Sequence, residues 1–222
     1  MTRQEIKAHA KATFTSNYGP NMVAYLIYSI VLAAASYVTG GIAAVIVSPA
    51  LLSGIIIYYL DVYTRAIEPS INTIFAKGFA QLDRKMGMYW WVQLFTFLWS
   101  LLFVIPGYIK SLSYSMAMYI VSDSKTVKVR DAMKLSMRMT DGHLFEIFVF
   151  QMSFLGWFML SSLTAGLLSI FYVGPYYQNA MGGLYLELKR RAIESGKITY
   201  DELYPPEETV SYDPSNYSRQ DG

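Results

Sequence analysis

Charged residues are absent from four long stretches of the chain: Ala12 to Leu60, Met86 to Ile109, Ser111 to Ser122, and Ile147 to Leu186. A helix that crosses a bilayer needs about 20 apolar residues, and the first and last stretches are about twice that length. Each therefore holds two crossings. The middle pair, interrupted only by Lys110, holds two shorter ones. Loop signals divide them: Thr39-Gly40-Gly41, Pro106-Gly107 and Gly174-Pro175. The pattern predicts crossings at about Met22 to Val38, Ile42 to Tyr59, Tyr89 to Ile105, Pro106 to Val121, Leu144 to Thr164, and Ile170 to Leu186. Helices of a soluble bundle would show polar faces. These runs are apolar all round.

Between the runs the period changes. Residues 1–17 carry Arg3, Lys7 and Lys11 and read as a short surface helix ended by Gly19-Pro20. Residues 66–82 place Ile67, Ile71, Ile74, Phe75, Phe79 and Leu82 at helical spacing. Val129, Ala132, Met133, Ser136 and Met137 form a third such face, opposite Lys128, Arg130, Asp131, Lys134 and Arg138. The expected fold is all-α: a polytopic membrane bundle of six helices, arranged as three hairpins with amphipathic interfacial linker helices.

The hairpins read as a repeat over residues 1–65, 66–123 and 124–192. Lys11 matches Lys134, Thr13 matches Ser136, and Gly19 matches Gly142. A three-residue shift then sets Pro49 on Pro175, Tyr59 on Tyr185, Asp61 on Glu187, and Arg65 on Arg191. The middle unit fits through Gly87, Pro106, Tyr119 and Asp123. Residues 193–222 are rich in Pro, Glu, Asp, Ser and Tyr, and they read as a disordered acidic tail.

Composition agrees: 54% of the 222 residues are hydrophobic and 15% charged, against about 25% charged in soluble domains. All lysines and arginines but Lys110 lie in the N-terminal segment, the two long linkers or the tail. The positive-inside rule then predicts a multi-pass protein of the cytoplasmic membrane with both termini in the cytoplasm. The chain has no cysteine, which excludes disulfides, thiolate metal sites and cysteine catalysis. His9 and His143 are too few and too distant in sequence for a metal cluster.

The run Val104-Ile105-Pro106-Gly107-Tyr108-Ile109-Lys110-Ser111-Leu112-Ser113-Tyr114-Ser115-Met116-Ala117 resembles the signature of a bacterial integral-membrane family. That family is catalogued as domain of unknown function 975. Ala132 to Met139, Gly142-His143, Ser153 to Trp157, and Pro175-Tyr176 resemble it as well. The resemblance spans most of residues 1–192 and implies a multi-spanning helical protein of the cytoplasmic membrane. It implies no activity and no catalytic residue.

Candidate chemistry centres on Lys110, Ser111, Tyr114 and Ser115. Lys110 either snorkels to the outer interface or receives an anionic group, such as a lipid phosphate, at the outer mouth. Ser111 and Ser115 share a helix face, as do Ala50 with Gly54 and Ser162 with Gly166; small residues at that spacing let helices approach. The alternative for the serines is a polar pathway. Lys128, Arg130, Lys134 and Arg138 are candidates for attracting anionic lipids. Asp61 with Arg65, Glu187 with Arg191, and His143 with Glu146 are candidate ion pairs. There is no His-Glu-x-x-His, Gly-x-Ser-x-Gly or paired intramembrane aspartate. The expectation is a non-enzymatic membrane protein, without cofactor or metal, that associates with membrane lipids, other membrane proteins or itself, and not with nucleic acid. The alternative is a small transporter, channel or lipid-handling protein built on the polar face of the fourth helix.

Overall fold

The computed structural model describes residues 1–38, 41–64, 70–102 and 104–206. Among them every regular element is a helix. α1 (Arg3–Ser16) opens with a capping box: Thr2 Oγ1 accepts from the Glu5 amide at 3.3 Å, and the Glu5 carboxylate accepts from the Thr2 amide at 2.9 Å. α2 (Tyr18–Val38) follows at once. The break falls at Asn17 rather than at Gly19-Pro20, because Pro20 sits in the first turn, where no amide donor is needed.

α3 (Ile42–Thr64) carries Pro49 internally. α4 (Asn72–Phe79) falls within the second expected linker helix; Arg65, Ile67 and Pro69 lie outside the described residues. α5 (Leu82–Leu102) leads to α6 (Val104–Tyr114) and α7 (Ala117–Asp123). α8 (Val129–Thr140) is the amphipathic helix read from residues 128–138. α9 (Leu144–Met152) and α10 (Leu155–Leu163) run on with a break at Ser153-Phe154. A π-helical stretch, Ser169–Val173, precedes α11 (Gly174–Glu194), and α12 (Tyr200–Leu203) is the last described helix.

Among the described residues three helices, not six, are long and apolar enough to cross a membrane: Tyr18–Val38, Ala43–Thr64 and Leu144–Leu163. The other three expected crossings fall short for separate reasons. α5 starts on Asp83-Arg84-Lys85 and is diluted by polar and aromatic side chains. The fourth is broken at Ser115-Met116 into pieces of 11 and 7 residues, the longer about 16 Å long at 1.5 Å per residue. α11 carries Gln178, Asn179 and three glycines in its first half and charges in its second.

Contacts run in a cycle. α4 rests on α3, α8 on α6 and α7, and α1 on α11. The inner helices α3, α7 and α11 meet at the centre: α3 packs on both of the others, and the Tyr119 ring of α7 stacks on Tyr185 of α11 at 5.5 Å. α1 is therefore no free surface helix. Ile6, Ala10, Thr13 and Phe14 are buried against the bundle, and Asn179 donates to Ala10 O at 2.7 Å and to Thr13 Oγ1 at 2.8 Å. A buried Asn21 joins α2 to α3, accepting from Tyr58 at its side chain (3.1 Å) and from Tyr59 at its carbonyl (2.8 Å).

The tail also departs from expectation. Residues 193–206 are ordered, because Ile198 and Leu203 are buried in the main core. Thr199 and Glu202 cap α12 as Thr2 and Glu5 cap α1. The rest of the expected tail, with Tyr212 and Tyr217, lies outside the described residues.

Candidate functional site

The charged groups collect where α8, the end of α11 and α12 meet. Arg84 donates to the carbonyls of Ser124 (3.3 Å), Lys125 and Val127, which pins the loop ahead of α8. That loop, one face of α8 and residues 202–206 enclose a cleft of about 800 Å³. Lys125, Lys128, Lys134 and Arg138 line it, against Asp131 and Glu202. Of the four basic candidates, Lys128, Lys134 and Arg138 share this cleft. Arg130 does not; its guanidinium lies over the Trp91 ring at 5.9 Å.

Arg138 and Glu202 form a two-pronged pair at 2.8 and 3.1 Å. The Arg138 hydrogen bonds and the Thr199 amide hold the Glu202 carboxyl down at about 2, and the same pair raises Arg138. Glu202 thus caps α12 and neutralises part of the basic wall.

Lys110 stands elsewhere than expected. It lines a second cleft, of about 470 Å³, together with Ile109, Ser113, Met137, Arg138, Asp141, Leu144 and Lys197. It therefore belongs to the same end as the linker bases, not to the opposite mouth. Its ammonium lies 5.4 Å from the Trp99 ring centre. Ser111, Ser113 and Ser115 donate to Tyr108 O (2.7 Å), Ile109 O (3.1 Å) and Leu112 O (2.7 Å) within their own helix. Their protons are committed to backbone carbonyls three or four residues back. Tyr114 is buried in the core. Ser113 O also accepts from Ser136 at 2.7 Å and Thr140 at 3.3 Å, which ties α6 to α8.

Two further clusters fasten this end. Asp123 Oδ2 accepts from Tyr185 (2.8 Å), Lys189 (2.6 Å) and Tyr204 (2.6 Å). Glu187, buried, accepts from Arg190 (2.7 Å), Arg191 (2.9 Å) and the Met1 ammonium (2.6 Å). Burial pushes the Glu187 carboxyl up, but the hydrogen bonds from Arg190, the Met1 ammonium and Arg191 outweigh it and hold it at about 2. The expected pairs fare differently. Glu187–Arg191 forms, as does His143–Glu146 at 3.3 Å, and Glu146 also takes Arg191 at 3.0 Å. Asp61 pairs with Lys77 of α4 at 3.3 Å; Arg65, its expected partner, lies outside the described residues. Lys197 and Asp141 were invisible as site residues, since nothing in their spacing links them to Lys110.

This is an all-helical protein whose cationic clefts sit at one end of a bundle with three helices able to span a bilayer. Residues 80–192 match the family described as Protein of unknown function (DUF975), and the chain belongs to that family. No curated protein and no solved structure matches it.

Proposed function

We propose that the chain is a non-enzymatic integral membrane protein that associates with lipids and partner proteins through its cationic end, with α1, α8 and α12 on the cytoplasmic side. After α9–α10 the chain returns to that side through the π-helical stretch and α11, whose polar first half is buried among the other helices. One observation carries the reading. Only 11% of the apolar window in α2 and 22% of that in α9–α10 is buried within the protein, against 56% for α3. Tyr37, Phe145, Leu163 and Leu101 stand largely exposed. At about 25 cal/mol per Å² of apolar surface, such faces favour lipid over water. The clustering of cations at one end supports the orientation. The neighbouring placement of α1 and the end of α11 supports a common side for both. The cycle of contacts supports three repeated units: each linker helix rests on the inner helix of the unit before it, and the matched Tyr59, Tyr119 and Tyr185 all point into the core.

The test is extraction. The expressed full chain is expected to pellet with membranes, to stay there after alkaline carbonate, and to leave only with detergent. Recovery in the carbonate supernatant would overturn the reading.

A further inference from the structure

We propose that Lys110, Arg138 and Lys197 form a site for the phosphate of an anionic phospholipid headgroup. The inference rests on the membrane reading above and names the ligand class for that cationic end. Three elements bring the cations together: α6 supplies Lys110, α8 supplies Arg138, and the turn after α11 supplies Lys197. Two carboxylates answer them. Asp141 takes Lys197, whose ammonium donates to its carbonyl at 2.6 Å and its carboxylate at 3.5 Å. Glu202 takes Arg138. Among the described residues no carboxylate pairs with Lys110, which has only the Trp99 ring. The cleft thus keeps an excess of positive charge that an anion would relieve.

Its other walls select a lipid over a free ion. Ile109, Met137 and Leu144 line the cleft. Beside them Tyr108, Ile109 and Phe145 project their apolar surface outward, with Phe145 76% exposed. Leu144 is also the first residue of the apolar helix Leu144–Leu163. Cations at the start of a membrane span lie at the depth of the headgroup phosphates, while the apolar rim continues towards the acyl chains. Lys110 on its half-buried stem reaches that level without burying its charge.

The experiment uses the full chain purified in a non-ionic detergent. Native mass spectrometry counts bound lipid after addition of phosphatidylglycerol, phosphatidylcholine or inorganic phosphate. Phosphatidylglycerol is expected to bind in preference to phosphatidylcholine, and inorganic phosphate to bind no more than weakly. Lys110→Gln and Lys197→Gln should each weaken phosphatidylglycerol binding roughly fivefold. Lys110→Arg should retain it. Lys11→Gln, which removes the same charge from an exposed position on α1, should leave it unchanged. Circular dichroism checks that each variant keeps its helices. Equal binding of the two lipids, undiminished phosphatidylglycerol binding in the Lys110→Gln/Lys197→Gln pair, or inorganic phosphate binding as tight as lipid would each overturn the site. A chain released by alkaline carbonate overturns the membrane reading with it. A chain that stays in the membrane and fails the lipid comparison overturns the site alone.

Discussion

Lys85 is 4% exposed and has no carboxylate partner among the described residues. Its ammonium donates instead to Lys77 O and, at 3.1 Å, to Gly78 O. Those carbonyls end α4, where the helix leaves its acceptors unsatisfied and its dipole is negative. Burial, with the neighbouring Arg84 charge adding to it, lowers the Lys85 ammonium to about 8. Below that pH the folded protein carries the full cost of a buried cation. Between about 8 and the ordinary 10.5 the unfolded chain holds a proton that the folded one has released, so stability rises with pH across that window. The difference is worth up to about 3 kcal/mol. Melting of the detergent-solubilised protein should therefore gain on a Lys85→Met variant from pH 8 to pH 10. Parallel pH curves for the two proteins would contradict the assignment. The comparison cancels the buried tyrosines, which both proteins share.

At the scale of elements, α3 and α4 approach closely enough to exclude a methyl group. A Cβ on Gly54 would lie 2.0 Å from Ile74 O, and one on Gly78 would lie 2.7 Å from Ala50 O. Both obstacles are backbone and cannot swing aside. Gly54→Ala should destabilise the protein by about 1–3 kcal/mol, read as a lowered melting temperature. Gly156→Ala, where a Cβ meets nothing within 4 Å, should be neutral or slightly stabilising. Helical spacing made the Ala50–Gly54 stripe readable, though not α4 as its partner. The same spacing misled at Ser162–Gly166, because Gly166 sits in the turn after α10 with φ +83°. The amphipathic face of α8 was readable because its apolar positions hold the 3.6 period through the whole helix. Lys110 was misplaced for a reason of length. Pro106-Gly107 looked like the far end of a crossing, but α6 is too short to separate Lys110 from Arg138. Lys85 gave no signal, since a lysine before an apolar run ordinarily reaches water.

For the whole molecule, charge patterning carried the helical class and the grouping of bases, while the run from Val104 to Ala117 carried the family resemblance. It did not reveal which apolar runs are long enough to span, because unbroken absence of charge says nothing about where a helix breaks. The absence of native cysteine makes the proposed orientation testable. Single cysteines at Tyr37, 92% exposed at the end of α2, and at Lys125, in the exposed loop before α8, should label from opposite faces of sealed vesicles. Labelling of both by an impermeant reagent from one face would contradict it.

The seat of α1 on α11 joins two helices far apart in the chain: Ala10 and Asn179 are separated by 169 positions. Ala10 and Thr13 cannot meet Asn179 until everything between them has been synthesised. The buried side of α1 must meanwhile be shielded by something else, whether lipid, insertion machinery or a chaperone. Ring closure therefore comes late in assembly, and a message truncated before α11 would leave α1 without its seat.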